Sequence, residues 1–327
     1  MKIKASKRLE THMQPNKIGN DDYQHFIQER NGRCLLYNRS LSLVKILDVS
    51  ILKTEKSLET NYLYHIDLSN KWICFYGETG LQIFDFEGRE LFALQQSVLA
   101  ISTAPDGFVW LAFNINSEQV ECRLINISTK KTASIYLNDP MTGMVPDGEH
   151  AVELLDIPER KDGICLCFSD AQCSIKTYFI AENNGQLEIF EELEDDFYPM
   201  CFSDDGRQML TRTFSDFDGV FRVYSIPEWK VLGEVNFPDE ESMFSMTGYY
   251  LNEHTALIYE ENKEDYCCLN TASMRLENLE IDWNGYDTGI NDEILKDYRI
   301  SKSGDELFIR AKHPDEEEGY YWVANQS

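Results

Sequence analysis

The sequence predicts an all-β fold, a seven-bladed β-propeller of four-stranded antiparallel blades. Three observations predict it: a tight turn recurs along the chain, alternating strands follow each copy, and long helical periodicity is almost absent. The clearest copy is "CFSDDGRQMLTR" (201–212), in which an apolar pair runs into Ser203, Asp204-Asp205-Gly206 turns the chain, and apolar positions resume at Met209-Leu210. The rhythm returns at "YRISKSGDELFIR" (298–310) and "LAISTAPDGFVWLAF" (99–113). Weaker copies are "LYHIDLSNKWICFY" (63–76), "LLDIPERKDGICLCF" (154–168) and "GYYLNEHTALIYE" (248–260), with a degenerate first copy at "QERNGRCLLYN" (28–38). Turns at Gly32, Asn70, Gly107, Gly163, Gly206, Glu253 and Gly304 recur about every 45 residues, the length of a four-stranded blade.

Each copy opens a similar unit, and the units divide a single domain over 1–327 into blades at 24–58, 62–94, 98–137, 150–190, 196–235, 243–279 and 296–324. In the second, "GLQIFDFEGRELFAL" (80–94) places a hairpin turn at Phe86-Glu87-Gly88-Arg89 between two alternating runs. The third and fourth carry "VECRLINISTKKTASIYL" (120–137) and "SIKTYFIAENNGQLEIF" (174–190). The fifth continues through "VFRVYSI" (220–226) to "KVLGEV" (230–235), and the sixth through "DYCCLNTASMRLENL" (265–279). β-Branched and aromatic enrichment with Gly, Asn and Asp between runs marks all of these as strands. The best helix candidate is a short one around Asp292 to Tyr298. The last unit runs out after "DELFIRA" and "GYYWVAN" without a fourth strand. A segment before about residue 25, "MKIKAS", is therefore expected to complete that blade and cover its edge.

At "TAPDGFVW" and "CFSDDGRQML" the chain resembles the WD40-like and TolB-like propellers, whose blades carry a Ser-Pro-Asp-Gly-type turn between their first two strands. The resemblance implies the architecture along nearly the whole chain. The Gly-His and Trp-Asp dipeptides of strict WD40 repeats do not recur, and Asp282-Trp283 falls between units. Propellers host hydrolases, lyases, oxidoreductases and scaffolds, so the fold leaves function open.

The composition narrows it. With 43% hydrophobic and 12% aromatic residues in 327, the chain can bury a real core. Its 30 basic against 57 acidic side chains give a net charge of −27, which repels phosphate backbones and anionic lipid. Neither nucleic acid nor membrane is an expected partner; a protein is, and a basic one by charge complementarity. "MKIKASKRLETHMQPNKIGN" has no apolar core of a secretory signal, and nothing approaches a spanning segment. Nine cysteines without a C-x-x-C read as reduced, mostly buried thiols in a cytoplasmic protein.

In a four-stranded meander A-B-C-D the A–B and C–D turns share one face of the disc. The B–C loops and the D-to-next-A connections share the other. The dense acidic runs sort to that second face: "EELEDDF" (191–197), "PDEES" (238–242), "EENKED" (260–265) and "HPDEEEG" (313–319). Candidate partner-binding residues are Glu191, Glu192, Glu194, Asp195, Asp196, Asp239, Glu240, Glu241, Glu260, Glu261, Asp315, Glu316 and Glu317. The first reading is a non-catalytic interaction propeller with an acidic loop face, of inhibitor, immunity or scaffold type; solvation alone is the bland alternative.

The competing reading is a propeller enzyme with a metal or small molecule in the central channel. No G-x-S-x-G, H-E-x-x-H, G-x-G-x-x-G, Walker A or full calcium loop occurs, so no cofactor or metal site is expected, and catalytic residues are left unassigned. The readable inner strands offer mostly apolar or hydroxylic groups, and His65, Asp67 and Asn252 are the channel candidates. Trp283 with Tyr286 would suit a binding surface or inter-blade packing, and Tyr249-Tyr250, entering an inner strand, favour packing.

Overall fold

The computed structural model describes side chains over 72–282, apart from 78, 86, 105–106, 139, 141–150, 159, 161, 170–175, 194–195, 214–218 and 239–241. Outside that span it describes the strands, with side chains only at Ile300, Leu307 and Ile309. The described elements are all strands, gathered into seven sheets. The short helix expected around 292–298 falls outside the described residues, except that Tyr298 opens a strand.

Six sheets are four-stranded antiparallel meanders in chain order. The first holds β1-independent strands only: β2 (Glu29–Arg30), β3 (Arg33–Asn38), β4 (Leu43–Asp48) and β5 (Lys53–Glu59), where β1 is Lys2–Leu9. The second is β6 (His65–Leu68), β7 (Trp72–Gly77), β8 (Gly80–Asp85) and β9 (Glu90–Leu94). The third is β10 (Ala100–Ala104), β11 (Phe108–Asn116), β12 (Gln119–Asn126) and β13 (Thr132–Asn138). The fourth is β14 (His150–Asp156), β15 (Gly163–Asp170), β16 (Ile175–Asn183) and β17 (Gln186–Glu192). The fifth is β18 (Phe197–Phe202), β19 (Gln208–Thr213), β20 (Val220–Ser225) and β21 (Lys230–Asn236). The sixth is β22 (Phe244–Asn252), β23 (Thr255–Glu260), β24 (Asp265–Asn270) and β25 (Arg275–Asn278).

The seventh sheet departs from the pattern. It has five strands in the order β26 (Glu280–Asp282), β1, β29 (Gly319–Gln326), β28 (Glu306–Lys312) and β27 (Tyr298–Ser303). β1 pairs antiparallel with β29, where the unfinished last blade calls for it. β26 then pairs parallel with the far edge of β1, a fifth strand that the repeat does not predict.

Alternation divides the third to sixth sheets each between two cores. Val109, Leu111 and Phe113 of β11 pack with Trp72, Leu81 and Ile83 of the second sheet. Trp110 and Ala112, pointing the other way, pack with Ile164, Leu166 and Phe168 of the fourth. Cys165 and Cys167 turn to Tyr198, Met209 and Tyr224 of the fifth. Leu210, Phe221 and Val223 meet Ala256, Ile258 and Leu269, and Leu257, Tyr266 and Cys268 meet Ile300, Leu307 and Ile309. Second strands, covered on both faces, are therefore buried over long runs, as the middle of β11 is. The outermost strands β13 and β21 alternate exposed with half-buried residues.

The repeated turn has a physical basis in its best copy. The buried Ser203 hydroxyl donates to Asp205 Oδ1 at 2.7 Å and accepts from the Gln208 N–H at 2.9 Å. Asp205 Oδ1 also accepts from the Arg207 N–H at 3.0 Å, and Gly206 N–H bonds the Ser203 carbonyl at 2.8 Å. The Ser203 hydroxyl, aided by Arg207, holds the Asp205 carboxyl below its ordinary range against a smaller upward push from burial. Gly206 has φ +64°, and a Cβ there would lie 2.3 Å from the Pro158 carbonyl oxygen in the neighbouring blade's turn.

Two outcomes are expected. Gly206→Ala, strained and clashing with backbone, should lose about 3 kcal/mol of stability. Gly185→Ala, with φ +86° but nothing within 4 Å, should lose about 1–2 kcal/mol; denaturant midpoints with unchanged m-values would show both. Because Asp205 is held low in the folded state, the advantage of wild type over Asp205→Asn should be present above the ordinary carboxylate pKa of about 3.9. It should shrink as the pH falls through the folded value, and paired thermal melts from pH 7 to pH 2 would measure it.

Candidate functional site

Two regions are candidates: the inner strands, and the end of the sheets that carries the B–C and D–A connections. On the inner strands the informative element is β14, which holds Glu153 and Asp156. The Tyr198 hydroxyl of β18 donates to Glu153 Oε2, and the Ser102 hydroxyl of β10 donates to Asp156 Oδ1. Burial, and then the neighbouring Cys167 and Glu153, push the Tyr198 phenol well above its ordinary range, so it stays a donor. Both carboxylates thus tie their strand to a neighbouring inner strand. "AVELLD" already puts Ala151, Glu153 and Leu155 on one side of a strand and Val152 and Leu154 on the other. That period-two pattern was the available signal for Glu153.

The channel candidates fare differently from one another. His65 and Asp67 lie in β6, opposite Tyr76 and Cys74 of β7, and their side chains are outside the described residues. Asn252 is exposed at the end of β22, and its Oδ1 accepts from the His254 N–H at 3.0 Å, shaping the turn into β23. Tyr250 is buried in the core between the fifth and sixth sheets, while Tyr249 is exposed; Trp283 and Tyr286 lie outside the described residues. Among the described residues no group of three or more His, Cys, Asp or Glu could hold a metal ion.

At the connection end, Glu191 is half-buried and Glu192 exposed at the close of β17, the latter paired with Lys176 at 2.9 Å. Asp196 is exposed, with φ +74°, in the step to β18. Glu261 is exposed in the β23–β24 loop. Glu260 is different: it ends β23, 6% exposed, and takes Lys263 Nζ at 2.6 Å and the Ser242 hydroxyl at 3.3 Å. With the Met243 N–H on Asn262 Oδ1 and the Glu261 N–H on the Met243 carbonyl, it clasps the loop to the connection beside it. Glu194, Asp195, Asp239, Glu240, Glu241, Asp315, Glu316 and Glu317 lie outside the described residues. The exposed acids of the described B–C and D–A connections are Glu118, Asp196, Glu261 and Glu264, and their one base is Lys263. The A–B and C–D turns mix Glu87, Asp162, Asp204, Asp205, Glu228 and Glu253 with Arg89, Lys130, Lys131, Arg160 and Arg207.

No family model matches the sequence, and no curated protein matches it. Solved structures do share the fold. The Myceliophteria thermophila Cps50 (Swd1) β-propeller domain superposes with a TM-score of 0.60 at 9% identity, over 99% of this chain and 100% of that one. The Neurospora crassa Pan2 WD40 domain gives 0.54 at 10% identity, over 92% and 88%. Kuenenia stuttgartiensis hydrazine synthase gives 0.54 at 10%, over 80% of each chain. Identities this low carry the fold alone. The chain is a propeller of WD40-like architecture.

The described cysteines are free thiols. Cys74, Cys122, Cys165, Cys167, Cys267 and Cys268 are buried, and Cys201, on inner strand β18, is half-buried. Burial pushes the Cys267 thiol up to about 12 and Cys268 to about 11. Native protein treated with iodoacetamide at neutral pH should be labelled at Cys201 well before these six, as peptide mass spectrometry would show. Equal labelling would mean that the inter-sheet cores open on the same timescale as the inner strands are reached.

Proposed function

We propose that the chain is a non-catalytic protein-interaction propeller, whose connection end offers an acidic surface to a basic protein, as an inhibitor, immunity-type protein or scaffold. The observation that carries the reading is the unequal sorting of charge between the two ends of the sheets. Glu118, Asp196, Glu261 and Glu264 stand exposed at one end, whose one described base, Lys263, is engaged by the buried Glu260. At the other end acids and bases are mixed. The net charge of −27 adds a long-range field of the same sign. Such a surface steers an oppositely charged partner and raises its association rate at low salt. The kinship of fold with WD40 domains supports a scaffold role in general. The free described cysteines suit the reducing cytoplasm.

Immobilised protein exposed to native lysate at low salt, then eluted along a salt gradient, tests this. Wild type should retain a specific basic protein that leaves at moderate salt. A variant with Glu118→Gln, Asp196→Asn, Glu261→Gln and Glu264→Gln should lose it. A variant with Glu87→Gln, Asp162→Asn, Glu228→Gln and Glu253→Gln at the opposite end should keep it. Equal retention by all three, or no specific capture, would reject the acidic-face reading.

A further inference from the structure

The seventh sheet contains a charge pattern that neither the propeller repeat nor the proposed partner requires. In a chain of net charge −27, β1 reads KIKASKRL, with Lys2, Lys4, Lys7 and Arg8 and no acid. It lies between two strands of unlike character. β29, GYYWVANQ, brings no charge, and sets Val323 and Trp322 opposite Lys7 and Arg8. β26, EID, pairs parallel and sets Glu280 opposite Lys2, Ile281 opposite Ile3, and Asp282 opposite Lys4. Every position of this short pairing is matched in kind. The two opposite-charge pairs fall on one face of the sheet and the Ile–Ile pair on the other, because strand residues alternate. Ile281 packs onto the core between the sixth and seventh sheets, so the charged face of β26 is the one turned from that core. A slip of one residue would oppose a lysine to Ile281 on one face and Ile3 to an acid on the other, and forfeit all three matches.

β26 reaches this place by leaving its own blade. β25 ends the sixth sheet at Asn278, Leu279 is buried in the core between the two sheets, and the chain then runs along the outer edge of β1. Three residues would add little as an ordinary strand. Opposite-charge cross-strand pairs, each worth a few tenths of a kcal/mol to about 1 kcal/mol, give them a reason to be there.

We propose that β1 is a charge-keyed latch: the Lys2–Glu280 and Lys4–Asp282 register selects β1 for the slot between β26 and β29, and makes closure of the seventh sheet depend on ionic strength and on the charge of those two lysines. The occupant is residues 2–9 of the same chain. Neutralising the lysines, as acylation would, loosens the latch without touching the blade cores.

Hydrogen exchange of the β1 amides in the full chain is the test. Lys2→Glu with Lys4→Glu should raise their exchange about threefold to tenfold at low ionic strength. The difference should narrow at 1 M salt, where the screening length is about 3 Å. Adding Glu280→Lys and Asp282→Lys should restore protection, a rescue that strand propensity or backbone pairing alone would not produce. Unchanged exchange after charge reversal, or failure of the swapped variant to recover, would overturn the proposal. So would a dimer in sedimentation whose dissociation exposes β1, since the slot would then belong to a second copy.

Discussion

The third to sixth sheets of this protein are each covered on both faces by their neighbours, and much of the described structure follows from that requirement. A strand buried on one side can afford polar residues every second position. One buried on both sides cannot, and β11 shows the result: Val109, Leu111 and Phe113 serve one core while Trp110 and Ala112 serve the next. The same alternation passes from sheet to sheet through Cys165 and Cys167, Leu210, and Leu257 to Ile309. Among the described residues every core is shared between two sheets, so stability is shared between neighbours in the manner of repeat proteins, and the seam where the series ends needs a device to complete it.

That sharing also explains where polar groups are tolerated. The carboxylates described above each have a partner in reach, as does buried Glu121 of β12, which takes Arg123 and the Ser134 hydroxyl. Glu153 and Asp156 are held by hydroxyls from β18 and β10, and Glu260 by Lys263 and Ser242. Such carboxylates specify which strand lies beside which, since a displaced neighbour would leave one unpaired. They are part of the scaffold, and the exposed acids of the connections are left to face solvent or a partner.

What the sequence made legible was the part written in local chemistry. Ser203, Asp205 and Gly206 bond to one another within a few residues, so their turn can be read without knowing the fold. The need for β1 was legible by subtraction, because "GYYWVAN" leaves the last blade one strand short. The fifth strand was not, since "EID" is too short to show a period and its pairing is parallel and distant. Glu260 reads as one more acid in "EENKED", yet the strand carries it one residue further than the charge run suggests, into contact with Lys263. Asn252 reads as an inner-strand polar group, but at a strand end its side chain has a nearer use on the His254 N–H. For the fifth strand a partner distant in sequence, and for Glu260 and Asn252 their place at a strand end, set surroundings that a local reading does not reach.

The interior position of β1 also orders events in time. During synthesis residues 2–9 are made long before 280–282 and 319–326, the two segments that flank them in the sheet. Six sheets can form by pairing neighbours as they emerge, but the seventh must wait for residues 319–326 and then recover an interior strand made long before. Until that moment a strongly basic segment stays unpaired beside an acidic body, tethered and close at hand. The slowest contact in the molecule is therefore the one best supplied with long-range attraction.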